Sequence, residues 1–498
     1  MTRKIKLSET EIDANALPLL PREHAAALMA FPFRLDDTRL HVAIAGDWDM
    51  DRLQTLTDIA GMPVAPYSAG EDDILRHIDK LLGQEYAETI ASRFFESERE
   101  TESGAKANES GAREHEDVAQ APVVRLVDSI LDAAVFNNAS DIHVEPYGAQ
   151  MRARLRIDGF LVTKFAVELA LLPNVMSRLK IMAGLDIAEK RSPQDGQFSY
   201  GRGGDRLDFR LSTLPTAFGE KAVIRLLYSG NARMDMGGLG FLEEDMPPLG
   251  RLFDSSYGAV FMTGPTGSGK STTLAARLGK LNVEWRNIVT VEDPVEYPIH
   301  GVNHVNVTGK LGFPGALRHI LRQDPDVILI GEVRDDETAK IAVQASITGH
   351  LVLSTIHTND AAGVVERLVN LGVEPYMVAA ALKGAVSQRL ARKLCICKRP
   401  AALLPHEAEL LCLAAGMEVS APTGCERCGM TGYLSRFAIY EYFVMDEDAR
   451  ASLVASPEKF ARGIRAQRRL LKNAAKRVES GCTSPEEALR VSWQGIAT

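Results

Sequence analysis

The run Gly264-Pro265-Thr266-Gly267-Ser268-Gly269-Lys270-Ser271-Thr272 restricts the folds open to this chain more than any other segment. It follows directly on the apolar stretch Tyr257 to Thr263 and leads into the helix-compatible stretch Thr273 to Leu281. Buried parallel strand, glycine-rich turn and helix form the context in which G-x-x-x-x-G-K-[ST] becomes a phosphate cradle. The glycines let backbone N–H groups turn toward phosphate oxygens with no Cβ in the way, and the helix N-terminus adds partial positive charge. In such a loop the lysine, here Lys270, reaches the β- and γ-phosphates of ATP, and the serine, here Ser271, ligates Mg²⁺.

Three further apolar runs end in polar clusters. Asn287 to Val291 ends in Glu292-Asp293-Pro294-Val295-Glu296, Val327 to Ile330 in Gly331-Glu332-Val333-Arg334-Asp335, and Leu351 to Thr355 lies between His350 and His357-Thr358-Asn359. Ligands of open α/β sheets gather at the C-terminal edges of the strands, where carboxylates can orient water or a metal ion. The competing reading of the first cluster is a turn and helix cap. Glu332, closing an apolar strand after a phosphate loop, is expected to hold Mg²⁺ directly or through water. A lone histidine at a strand end is usually structural; two flanking one strand in this setting favour a functional reading.

At 498 residues the chain exceeds one ordinary core and predicts several domains. Residues 1–95 mix short apolar strands such as Leu40 to Ile44 with amphipathic stretches such as Asp73 to Leu82, and predict a small α/β domain. Residues 96–117, nearly free of large apolar side chains, read as a flexible linker. A second domain spans 118–229, with strands expected at Met151 to Ile157 and Arg206 to Ser212, and the glycine-rich stretch 230–240 reads as a hinge. The larger α/β domain occupies 241–394, a cysteine-bearing insertion 395–430, and a helical region 431–498.

No apolar run approaches the roughly 20 residues of a membrane span, and Met1 to Lys6 lacks the apolar core of an export signal. A cytoplasmic protein is expected. The net charge of −9 disfavours nucleic acid as a partner.

Cys425-Glu426-Arg427-Cys428 has zinc-knuckle spacing, and Cys395-Ile396-Cys397 supplies a second, tighter pair. A four-cysteine Zn²⁺ site is the favoured reading, with free structural thiols or a redox pair as alternatives. Cys412 and Cys482 have no sequence partner. Arg462, Arg465, Arg468, Arg469, Lys472, Lys476 and Arg477 recur at helical spacing; a solvated face is the ordinary reading, acidic phospholipid or an acidic partner the sharper one, with Arg389, Arg392 and Lys393 as further contributors.

The four boxes, Gly264 to Thr272, Thr290 to Glu296, Gly331 to Asp335 and His350 to Asn359, resemble in identity and order the Walker A, Asp box, Walker B and His box of the secretion ATPase superfamily, which serves type II secretion and type IV pili. The resemblance extends to Ala139 to His143, Arg154 to Gly159 and Gln388 to Arg392, although the family expects C-x2-C where this chain has Cys395-Ile396-Cys397. Among these motors the chain resembles the cytoplasmic ATPase of type II secretion. That resemblance implies a RecA-like core preceded by a PAS-like domain and a small partner-docking domain. It also implies a homo-hexamer, peripheral attachment to the inner membrane through secretion protein L and the platform protein F, and hydrolysis that drives pseudopilus assembly. Glu296, or else Glu292, would polarise the attacking water; Glu332 would act through Mg²⁺; Arg210, Arg225 and His357 complete the implied catalytic set. A type IV pilus assembly ATPase is the near alternative, and a DNA-uptake motor a more distant one.

Overall fold

The computed structural model describes residues 4–7, 10, 12–36, 38–46, 48–78, 112–201, 207–227, 235–467 and 469–492. The chain divides into two compact units, Met1–Leu227 and Tyr228–Thr498.

In the first unit, strands β1 (Ala30–Leu35), β2 (Leu40–Ala45) and β3 (Val64–Ala69) form a three-stranded sheet in that order, β2 pairing antiparallel with β1 and parallel with β3. The crossover between β2 and β3 carries the helix Met50–Ala60, which is N-capped by Asp49 and stops at Gly61 in the left-handed conformation that suits glycine. Phe31, Phe33, Val42, Ile44, Leu56 and Ile74 are buried in its core.

A second sheet uses β4 (Asp141–Tyr147), β5 (Gln150–Ile157), β6 (Phe160–Glu168), β7 (Gln194–Tyr200), β8 (Leu207–Thr216) and β9 (Gly219–Leu227), all antiparallel, in the order β6-β5-β4-β9-β8-β7. Alternation along these strands buries Ile142, Val144, Leu155, Phe209, Leu211 and Ile224 and leaves the charged residues between them on the opposite face. The helix Leu172–Met182 packs against β7, β9 and the helix Ala112–Phe136. That last helix corrects the expected linker: residues 112–117 are helical, and 96–111 lie outside the described residues.

The second unit is built on strands β10 (Gly258–Thr263), β11 (Ile288–Glu292), β12 (Asn303–Asn306), β13 (Val327–Ile330), β14 (Leu351–Ile356) and β15 (Leu382–Leu394). After the short pair β16 (Arg399–Ala402) and β17 (Glu418–Ala421), strand β18 (Tyr433–Val444) returns along β15. The seven-stranded order is β12-β11-β13-β14-β10-β15-β18, parallel except for the last pairing. Successive residues of each central strand enter different cores. Ala259, Phe261, Ile328 and Ile330 pack with helices Phe313–Ile320, Asp336–Ile347 and Gly363–Asn370, whereas Val260, Met262, Val327 and Leu329 pack with helices Met246–Phe253 and Lys270–Leu281. A sheet covered on both faces explains why these strands read as unbroken apolar runs.

The hinge reading needs correction where it is described. Residues 230–234 lie outside the described residues, but Leu239 O accepts from Ala438 N at 2.9 Å and Gly240 O accepts from the Arg477 guanidinium. Tyr440 and Tyr442 both donate to Asp245, at 2.5 and 2.9 Å, so the strand β18 and the C-terminal helices hold this segment.

Candidate functional site

Because β10, β11, β13 and β14 are parallel neighbours, the segments following them emerge at one sheet edge. The phosphate loop, the acidic loop 292–297, the Glu332 segment and the His357 segment are thereby collected from residues as much as 93 positions apart, from Gly264 to His357.

Gly264 has φ 139° and Gly269 φ 85°, and a Cβ at either would stand 2.4 Å from Gln388 O or 2.8 Å from Gln388 Nε2. Only glycine fits both the conformation and the space. Gln388 fastens the loop: its Nε2 donates to Ser268 O at 2.9 Å, and its Oε1 accepts from Thr273 Oγ1 at 2.8 Å. The helix Lys270–Leu281 starts at Gly269 with no side-chain cap, so its first N–H groups are offered to an anion. Ser268 Oγ is buried without a hydrogen-bond partner, a further polar group suited to a phosphate.

Lys270 is buried, and its Nζ donates to Gly264 O at 2.9 Å and Pro265 O at 3.0 Å. Burial lowers its pKa, the Arg389 charge lowers it further, and Glu332 and Glu296 oppose both. Glu332 pairs with Arg334, and its Oε2 lies 3.5 Å from His357 Nε2. Thr272 Oγ1 lies 3.0 Å from Tyr297 OH, tying the phosphate-loop helix to the acidic loop. A cavity between them is lined by Ser271, Glu292, Tyr297, His304, Gly331 and Thr355 among others.

Glu296 is exposed on this loop, and Glu292, at the end of β11, is partly buried with its carboxylate engaged by Thr290. Asp335 serves as the N-cap of the helix Asp336–Ile347, accepting from Thr338 N at 2.8 Å. His350 is a correction to the paired-histidine reading. It precedes β14 at the strand end opposite His357, roughly 20 Å distant at 3.3 Å per residue, and its Nδ1 donates to Ala345 O at 2.9 Å.

Arg210 and Arg225 belong to the first unit, where they stand opposite each other on β8 and β9, both exposed. Arg225 Nε donates to Asp141 Oδ1 at 3.0 Å, and Asp141 also faces Arg156 at 3.6 Å. The same sheet face carries Glu145, held by Arg152, Arg154 and Lys221. Burial, with the charges of Lys221 and Arg156, keeps His143 below the usual imidazole range.

All four expected metal ligands converge, the C-x-C pair included. The sulfurs of Cys395, Cys397, Cys425 and Cys428 lie within 4.8 Å of one another, with 3.8 Å between Cys395 and Cys425, 3.9 Å between Cys397 and Cys428 and 3.7 Å between Cys425 and Cys428. A tetrahedral Zn²⁺ with bonds of about 2.3 Å separates its sulfur ligands by about 3.8 Å, so the set fits that ion. Burial opposes ionisation of Cys428, yet the amides of Cys425 and Gly432, each 3.2 Å from its sulfur, help bring its pKa down to about 7. Burial pushes Cys395 up to about 12.

The basic residues are largely consumed within the chain. Arg465 pairs with Asp360 and Glu366, Lys476 with Glu244, Arg469 donates to Tyr442 O, and Arg477 to Gly240 O. Arg389 is buried against Asn359 O, and Arg392 pairs with the fully buried Glu487, so neither adds to a cationic surface. Arg468 lies outside the described residues.

A doubly covered parallel sheet with a phosphate loop and facing carboxylates at one edge defines a P-loop ATPase. Residues 116–490 match the family described as type II/IV secretion system protein, and the chain belongs to that family. Residues 2–88 match the MshEN domain. The chain is 45% identical over 380 residues to type II secretion system protein E of Pectobacterium carotovorum subsp. carotovorum, covering 75% of this chain and 76% of that protein. It is 41% identical over 448 residues to the type IV pilus assembly ATPase PilB of Myxococcus xanthus, covering 88% and 79%. Among solved structures, the pilus retraction motor PilT with bound ADP aligns with a TM-score of 0.50 at 25% identity, over 72% of this chain and 95% of that one. The chain is accordingly an ATP-hydrolysing enzyme of the secretion ATPases. Among the described residues no helix is long and apolar enough to cross a membrane.

Two features escaped sequence reasoning. Gln388 was visible only as part of a family motif, with no sign that it grips the phosphate loop. His304 and Asn306 on β12 stood in no recognised pattern, because their importance arises from pairing with β11.

Proposed function

We propose that this chain is the cytoplasmic motor of a type II secretion system, working as a homo-hexamer that drives pseudopilus assembly and the export of folded proteins. The observation that carries the reading is the collection of the phosphate loop, the acidic loop and the Glu332 segment at one sheet edge, in a chain similar to protein E relatives over three quarters of its length. Lys270 and the loop Gly264 to Thr272 hold the β- and γ-phosphates, with Ser271 and Glu332 as the residues that would hold Mg²⁺. The ion, when bound, neutralises charge developing on the phosphates.

Glu296 orients the attacking water, with Glu292 as its neighbour on the same loop. His357, beside Glu332, senses that carboxylate, and Arg210 and Arg225 supply positive charge to the γ-phosphate when the nucleotide is engaged. Zn²⁺ at the four cysteines is structural, bracing the segment between β15 and β18.

The N-terminal domain docks on the inner-membrane secretion protein L, with the platform protein F as a further contact, and so holds the motor at the cytoplasmic face of the inner membrane. Contact with acidic phospholipid would fall to Arg462 and Lys472, exposed and outside the ion pairs named above. Nucleic acid is not a partner in this reading.

Glu296→Gln tests the assignment. Turnover should fall about a hundredfold while ATP binding persists, measured by phosphate release and nucleotide titration; unaltered turnover removes Glu296 from the role. A pilus assembly role is the second reading, favoured by the wider match to PilB, 88% of this chain against 75% for protein E. Affinity capture with the full-length chain separates them, a pilus platform in place of a secretion partner deciding for the second.

A further inference from the structure

The acidic loop is held by an edge strand that the sequence did not single out. β12 pairs in parallel with β11, placing His304 opposite Thr290 and Asn306 opposite Glu292. Asn306 Oδ1 accepts from Val295 N at 2.9 Å, and Val307 N donates to Glu292 O at 2.8 Å. β12 therefore grips the loop at its backbone.

His304 adds a side-chain grip with a definite direction. Its Nε2 lies 3.0 Å from the Ile299 amide nitrogen, which can only donate, so Nε2 carries the lone pair. In the neutral ring the proton then sits on Nδ1. Nδ1 lies 2.8 Å from Thr290 Oγ1 and 3.2 Å from Glu292 Oε1, and Thr290 Oγ1 donates to Glu292 Oε1 at 2.7 Å. Every bond in the chain Ile299 N–H, His304, Thr290, Glu292 has one donor and one acceptor, and it ends on a carboxylate. Thr290 is buried, and the His304 and Glu292 side chains are each only 14% exposed, which protects the arrangement from water. Glu292 and His304 line the same cavity as Ser271 of the phosphate loop.

We propose that His304 is a positioning residue of the nucleotide site, fixing the Glu292 carboxylate and with it the acidic loop through its neutral Nδ1–H tautomer. The inference rests on the reading that the acidic loop takes part in hydrolysis. His304 touches no phosphate; it acts by holding the loop that faces them, and misplacement of such a group by about 1 Å is enough to cost turnover.

Two measurements on the full-length chain test it. In ¹⁵N-histidine-labelled protein near neutral pH, the resonances that vanish in His304→Gln should report a protonated Nδ1 and an unprotonated Nε2; the opposite tautomer overturns the proposal. In steady-state hydrolysis, His304→Ala should lower kcat about tenfold with KM for ATP unchanged. His304→Gln, whose amide offers one acceptor and one donor, should recover most of that loss. A wild-type kcat in His304→Ala, or an equal loss in both variants, overturns it. Should His304→Ala fail to fold, the tautomer and the kcat of His304→Gln decide: an Nδ1–H ring with turnover retained supports the proposal, and failure of either overturns it. Glu292→Gln and Glu296→Gln separate the two levels. If both turn over like the parent, the reading of the acidic loop falls; if they lose turnover and His304→Ala does not, only the role of His304 falls.

Discussion

In the seven-stranded sheet, β10, β13 and β14 are buried at every position, whereas in the six-stranded sheet β8 alternates buried and exposed residues along most of its length. The difference relocates the polar groups. A parallel sheet covered on both faces has no polar face to offer, so its polar groups gather at the strand ends, as Lys270, Glu292 and Glu332 do. An antiparallel sheet with one open face carries its charges across that face, where Arg152, Arg154, Arg210 and Arg225 stand with Asp141 and Glu145 buried among them. At the edge, geometry comes from loops between distant strands; on the face, it comes from register between adjacent strands.

The sharpest way to break this contrast is at the edge. Lys270→Ala removes the buried cation of the phosphate loop, and ATP turnover should fall by about a hundredfold or more. Phosphate release measures it, with an unchanged melting temperature as the control; persisting turnover would show that the edge is not the working region.

Next comes the open face. Arg225→Ala should lower kcat about tenfold with ATP affinity retained, and Asp141→Asn, which loosens the Arg225 guanidinium without removing it, should cause a smaller loss in the same kinetic constant. Unaltered turnover in Arg225→Ala would make the charged face structural only and turn the contrast into one between a working sheet and a supporting one.

The cysteine segment joins the antiparallel edge pair β15 and β18 and is expected to matter for stability alone. Chelation of zinc should lower the melting temperature by several degrees, on the order of 1 to 2 kcal/mol in a domain of this size. Metal analysis of the purified chain and of Cys425→Ser checks the ligand assignment.

The smallest effect concerns acid. Burial works against ionisation of Glu145, but Lys221, Arg154 and Arg152 lower its pKa below the ordinary glutamate value. A folded value below the unfolded one gives a contribution that is complete above the unfolded pKa and is lost as pH falls through the folded pKa. Melting temperature followed into acid should therefore decline less steeply in Glu145→Gln than in the parent. A parallel decline would show that the charged face does not contribute through this carboxylate.

Much of the second unit was legible in advance. Strand, phosphate loop and helix follow one another within Tyr257 to Leu281, and the structure has β10 and the helix Lys270–Leu281 there. Glu332 and His357 follow their expected strands. His350 misled because sequence adjacency to a strand does not say which end of the strand faces the ligand. The ion pairs of the basic residues were not legible because their acidic partners, Asp360, Glu366, Glu244 and Glu487, lie from 95 to 232 positions away.

By itself, then, the sequence determined what depends on neighbours along the chain: the phosphate loop with Gly264 and Gly269, the apolar parallel strands, the alternating antiparallel ones and the Cys425-to-Cys428 knuckle. Only the tertiary structure decided that Asp141 carries Arg225 and that His304 faces Glu292. The physical reason is register. Which side chains meet across a sheet is set by how whole strands are aligned by their cores and hydrogen bonds, and a shift of one residue would turn His304 away from Thr290 and Glu292.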